Sequence, residues 1–140
     1  MLFAHRPTHP TIGVVSTFQL IDLLMLRLSR GMELPAAMQS LGGVQFPDSL
    51  FNSLDLIQTD TPVSYHQFSD RSHFFVALLE VLRQARSLEP SSLCDVLVIL
   101  KNKLYVHLLK VVDYGNIDSI FYKNGQSNLL PEDFARDILS

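Results

Sequence analysis

Apolar residues first settle into a helical rhythm between Val14 and Gly31, where they recur at three- and four-residue spacing and the glycine after Arg30 supplies a stop. Placed at about 100° per residue, Ser16, Gln19, Asp22, Arg27, Ser29 and Arg30 share one broad polar arc. Leu23 and Leu26 fall inside that same arc. An isolated amphipathic helix would show them to water, so either this helix is buried all round or the arc meets another chain. On the second reading Leu23 and Leu26 are a partner interface.

Pro35 suits the first turn of a short helix running through Met38 and Leu41, with Gly42-Gly43 ending it. Leu50, Phe51, Leu54 and Ile57 keep helical spacing in the next segment, and Asp60-Thr61-Pro62 opens a polar loop over 59–69. Ser69 or Asp70 then caps a helix from Arg71 to about Ser87. Its apolar side carries Phe74, Phe75, Leu78, Leu79, Val81, Leu82 and Ala85, opposite His73, Ala77, Glu80 and Gln84.

Glu89-Pro90-Ser91-Ser92 breaks the pattern. Leu93 to Leu100 is apolar and β-branched on both faces, which predicts a strand covered on both sides. Lys101-Asn102-Lys103 reads as a polar turn and Leu104 to Val112 as the antiparallel partner. Asp113-Tyr114-Gly115-Asn116 turns the chain into a third strand, Ile117 to Tyr122, closed by the hairpin pair Asn124-Gly125. Pro131, with Glu132 and Asp133 in the same first turn, opens a final helix. The expected fold class is therefore α+β: a helical N-terminal half, a three-stranded antiparallel β-meander and a short C-terminal helix. One domain spans 1–140, with an irregular lead-in over 1–11, a mainly helical part over 12–88, the meander over 93–129 and the helix over 131–140.

Composition narrows the function classes. A hydrophobic fraction of 47% against 18% charged residues is enough for a core and leaves apolar side chains over for a partner. The net charge of −3 comes without a basic block, and the cations Arg83, Arg86, Lys101, Lys103, Lys110 and Lys123 are interrupted by Glu89, Asp95, Asp113 and Asp118. Nucleic acid is therefore not the expected partner. The lone cysteine, Cys94, excludes an internal disulfide framework and points to a reducing, intracellular compartment, most simply the cytoplasm. The lipophilic run from Thr11 to Leu28 contains Gln19, Asp22 and Arg27, which argues against a membrane span. MLFAHRPTHPTIG at the start lacks a small-residue cleavage site, so a signal peptide is not expected.

Catalytic and ligand sets are poor. Gly42-Gly43 lacks the Lys and Ser/Thr of a phosphate loop. Pro7 separates His5 from His9, and His66, Asp70 and His73 match no metal spacing. Cys94 and His107 could face each other across paired strands, but Cys94 opens an apolar segment and a reactive thiolate needs an exposed, electropositive setting. No enzyme activity, cofactor or metal is expected.

Two local patterns resemble known families. DYGN at Asp113 to Asn116, followed by Leu130-Pro131 and Phe134, resembles the end of a Tudor domain, whose aromatic cage binds methylated arginine. That resemblance implies Tyr114 and Asn116 as binding residues. LCDV at Leu93 to Val96, with Tyr105 to His107 and the final LPEDFARDIL, resembles the start of a BTB/POZ domain, a dimerisation and adaptor module. Each is confined to the C-terminal part of the chain and neither leaves a complete domain, so neither assigns a family. The expected function is a small non-enzymatic protein–protein interaction protein: an adaptor, an assembly factor or a subunit of a complex, with a protein partner or a second copy. The alternative is a module that reads a modified peptide or nucleic acid through Tyr105, Tyr114, Asn116, Phe121 and Tyr122 on an exposed face of the meander.

Overall fold

A computed structural model of the chain describes residues 12–41, 54–64, 73–114, 122–123, 126–127 and 130–140. These residues form five helices: α1 (Val14–Ser29), α2 (Leu34–Leu41), α3 (His73–Gln84), α4 (Pro90–Tyr114) and α5 (Pro131–Leu139). A further helical turn lies at 54–57. The only extended pairing among the described residues is a two-rung ladder, in which β1 (Tyr122–Lys123) meets β2 (Gln126–Ser127) with Tyr122 opposite Ser127 and Lys123 opposite Gln126.

The α+β expectation is thus overturned: the described residues are helical, and the first two strands of the expected meander are absent among them, while Ile117 to Phe121 of the third lie outside the described residues. Leu93–Leu100, Lys101-Asn102-Lys103 and Leu104–Val112, read as strand, turn and strand, are consecutive turns of α4. Both family resemblances needed strands there and fall with it. Asn116, Phe121 and the Asn124-Gly125 turn lie outside the described residues, as do 1–11 and 42–53.

The physical reason lies in what α4 lacks. A short apolar run cannot by itself distinguish a doubly covered strand from a buried helix, and length decides. Pro90 sits at the helix start, where its missing N–H costs nothing, and from Ser91 to Tyr114 there is neither glycine nor proline. Lys101-Asn102-Lys103 is polar but carries no residue that breaks a helix. Leu93, Leu97, Leu100 and Leu104, spaced four, three and four apart, are all buried. The β-branched Val98 and Ile99, which suggested a strand, stand on the outer side.

Helix α3 is the centre. Every residue from His73 to Arg83 is buried, including His73, Ala77 and Glu80 on the side expected to be polar. Helices α1, α4 and α5 all pack against it. The core they share includes Leu20, Leu24 and Leu28 of α1 and Phe134, Ala135 and Ile138 of α5.

Burying Glu80 requires that its charge be answered. Its carboxylate accepts hydrogen bonds from Arg83 Nε and Nη2 at 2.8 Å each, from Gln84 Nε2 at 2.7 Å and from the Val63 backbone N–H at 2.8 Å. Burial alone would raise this carboxyl's pKa, but these donors and the guanidinium charge outweigh it and hold the group below the ordinary glutamate range. The network also ties elements together. Val63 pins the 58–64 loop to α3, Arg83 Nη1 reaches Thr59 O at 3.4 Å, and Gln84 Nε2 donates to Glu132 O of α5 at 3.1 Å.

Helix α1 ends as its sequence predicts. Gly31 takes φ +87°, its N–H donates to Leu28 O, and the Met32 N–H donates to Arg27 O, closing the end in a Schellman motif. At the other end of the chain, Pro131 occupies the start of α5 with Glu132 and Asp133 in the first turn.

Candidate interaction surface

Helices α1 and α4 lie side by side and antiparallel, as three contacts establish. Phe18 meets Tyr105 edge-on with ring centroids 6.4 Å apart, Lys101 Nζ donates to Asp22 Oδ1 at 2.6 Å, and Cys94 Sγ–H donates to Met25 O at 3.4 Å. As the numbering rises along α1 it falls along α4. The Asp22–Lys101 pair is largely solvated and worth under about 1 kcal/mol, so it fixes register more than it stabilises.

The side of α4 turned away from the core is unusual. On it Val98, Ile99, Tyr105, Val106 and Leu109 are each between 42% and 54% exposed, with Asp95 and Asn102 among them. At about 100° per residue these seven positions fall within roughly a third of the helix circumference. A surface helix places polar residues there; α4 places five apolar ones against two polar. Asp95, Val98, Asn102, Tyr105 and Leu109 follow the three-four alternation of a helix-packing seam, with Asn102 in the middle. Single exposed apolar residues are ordinary, whereas a contiguous stripe over several turns marks a contact surface.

The neighbouring face of α1 extends it. Val15 is 70% exposed and Leu26 44%, on the side that also bears Gln19 and Asp22. Leu26 therefore does look outward. Leu23 does not share this face: it is half-buried and packs against the core, on the flank where Arg27 Nε donates to Ser40 Oγ of α2 at 2.7 Å. The two leucines that the polar arc groups together therefore differ: Leu23 packs against the core and Leu26 is exposed.

Of the five residues proposed as a ligand-reading face, Tyr105 is exposed, on a helix and against Phe18. Tyr114 is the last residue of α4 and Tyr122 belongs to β1, with only their backbones described; Asn116 and Phe121 lie outside the described residues. Val15, Val98, Ile99, Val106 and Leu109 escaped the sequence reading. For the four on α4 the signal is the three-four spacing from Asp95 to Leu109, visible only once the segment is taken as one helix; Val15, on α1, lies outside it.

Other candidate chemistry separates in space. Cys94 and His107 are thirteen residues apart on one helix, about 20 Å along its axis, which is too far for a nucleophile and its base. Burial first, and the Asp95 charge second, push the Cys94 thiol above its ordinary pKa. His107 packs edge-on against Phe134 at 5.8 Å. Of the cations considered for nucleic acid, Arg83 is paired with Glu80, Arg86 with Asp60 at 2.9 Å and Lys101 with Asp22. Among the described residues no group of three or more His, Cys, Asp or Glu is placed to hold a metal ion, and no helix is long and apolar enough to cross a membrane.

No family model, curated protein or solved structure matches the chain.

Proposed function

We propose that this is a non-enzymatic interaction protein that engages a helical protein surface through the outer face of α4, flanked by α1, in a reducing intracellular setting. One observation carries the reading: the seam from Asp95 to Leu109 is apolar where a solvated helix would be polar. A fully buried Val, Ile, Leu or aromatic side chain stabilises by about 1.5–3 kcal/mol, so covering the exposed half of each yields about 1 kcal/mol apiece. Five such residues make a modest contribution once the cost of association is subtracted, consistent with reversible binding. The three-four spacing fits a helix as the partner element, because a helix supplies knobs and holes at that same spacing.

The test is affinity capture with the wild-type chain and with the double variant Ile99→Asp/Val106→Asp. Both substitutions fall on exposed positions, so the variant retains its helical circular dichroism while losing the captured partner. Equal capture by a folded variant overturns the reading.

A further inference from the structure

The outer faces of α1 and α4 carry matching patterns about one common level, and from this we propose that they bind a second copy of this chain, forming a two-fold symmetric dimer. The proposal rests on the interaction reading above and names its partner.

Phe18 sits near the height of Tyr105 and Asp22 near that of Lys101; these two pairs share one register and set the height of α1 on α4, while the Cys94–Met25 contact at the far end lies about four residues off it. A two-fold axis at the height of Asn102 reverses the direction of α4. It sets Val98 of one copy against Tyr105 of the other, Ile99 against Val106, and Asn102 against its own counterpart. That height corresponds to residues 20–21 of α1. The same axis therefore sets Val15 of one copy against Leu26 of the other, and Gln19 against Asp22. The α4 pairings hold to within one residue, about 1.5 Å of rise, and those on α1 follow from the register that Phe18 and Asp22 set.

The orientation of the two helices permits this. On α4, Cys94 and Lys101, which touch α1, lie about a quarter turn from the middle of the outer face. On α1, Phe18 and Met25 lie about a quarter turn from Val15 and Leu26. Traced from each helix's own N-terminus the two offsets have the same sense, so for antiparallel helices both faces look out the same way. Docking two copies thus stacks α4 on α4 and α1 on α1. A partner of unrelated sequence would have no reason to find matching apolar residues at two-fold related positions on two different helices.

The polar members fit as well. An asparagine carries both a donor and an acceptor, so two Asn102 amides related by the axis satisfy each other, and a polar residue at the centre of a helix seam fixes its register. The Gln19 amide of one copy faces the Asp22 carboxylate of the other. Asp95 falls opposite Leu109 at the ends of the seam, where both remain at the solvated edge. Two helices, each about 10 Å across and about 24 Å long over the α1 span, give roughly 500 Å² per copy. The total of about 1,000 Å² is at the small end for a specific interface, so the dimer dissociates in the micromolar range.

Sedimentation velocity of the whole chain, from low micromolar to near-millimolar concentration, tests this. A monomer–dimer equilibrium is expected. Asn102→Asp sets two like charges on the axis and weakens the dimer at least about tenfold, an effect that shrinks as salt is added. Ile99→Asp/Val106→Asp abolishes it. In a Cys94→Ser background, Asn102→Cys forms a symmetric disulfide on mild oxidation, whereas Gln39→Cys, exposed on α2, does not; circular dichroism confirms that each variant is folded. A dimer indifferent to Asn102, Ile99 and Val106 overturns the proposal. A chain monomeric at every concentration, without the 102–102 cross-link, also overturns it. In that case, capture of another protein that depends on Ile99 and Val106 leaves the interaction reading standing, and its absence removes both.

Discussion

Replacing Glu80 by alanine is the sharpest perturbation of this fold. The carboxylate is fully buried and accepts four hydrogen bonds, two from Arg83 and one each from Gln84 and Val63. Removing it leaves the nearly buried Arg83 guanidinium without its ion-pair partner, with only the more distant charges of Glu132 and Asp60, and strips the Val63 N–H of the acceptor that holds the 58–64 loop. Breaking one side of a buried ion pair costs about 3–5 kcal/mol. Domains of this size are stable by only about 5–15 kcal/mol, so Glu80→Ala removes a large share. Urea unfolding gives the loss as a shift in midpoint at constant slope.

Two companions isolate the cause. Glu80→Gln keeps the shape and one acceptor oxygen but turns an NH₂ toward donors, and costs about 1–3 kcal/mol. Glu80→Met/Arg83→Leu removes both charges and costs less than Glu80→Ala alone. The pH dependence follows from the depressed pKa. A carboxyl whose folded pKa lies below its unfolded value adds stability that is complete above the unfolded value and is lost as pH falls through the folded one. The wild type therefore loses stability on acidification below the ordinary glutamate range, and the difference from Glu80→Gln narrows there. A Glu80→Ala protein within about 0.5 kcal/mol of wild type at neutral pH refutes the account, because ordinary surface substitutions do no more.

Other outcomes follow from single features. Gly31→Ala costs about 1 kcal/mol in the same unfolding assay; a Cβ there would meet nothing, so the cost is that of the positive φ alone. Gly13 caps α1 without a side-chain hydrogen bond, and Gly13→Asp is expected to raise stability by a few tenths of a kcal/mol, read from the melting midpoint. Leu97→Ala, in the buried face of α4, costs about 2–5 kcal/mol; a near-neutral result would be incompatible with α4 packing as a helix on the core. Alkylation of Cys94 is slower than that of a free thiol near neutral pH and accelerates on denaturation; rapid labelling of the native chain contradicts the raised pKa and the hydrogen bond to Met25.

Local signals carried a good part of the fold. Val14–Ser29 with its Gly31 stop, the short helix around Pro35, the apolar 71–87 segment and the helix opened by Pro131 could each be read from spacing and from the residues at their ends. These features depend on a few neighbouring residues, which is why sequence alone determined them. Leu93 to Val112 was different. Its density of leucine, valine and isoleucine satisfies both a covered strand and a helix, and only the unbroken length of Ser91–Tyr114, free of any breaker, separates the two.

Only the tertiary structure decided which faces are covered. His73 and Glu80 occupy the polar side of α3 and are nonetheless buried, because α1, α4, α5 and the 58–64 loop surround that helix and Arg83, Gln84 and Val63 answer the one charge it hides. Leu23 and Leu26 share an arc on a helical wheel, yet the first packs against the core and the second stays outside. The apolar seam on α4 is a result of the same kind: its spacing is written in the sequence, but its exposure depends on α1 lying beside it and nothing lying over it among the described residues. Spacing is a property of the local chain, whereas exposure is a property of every other element's position.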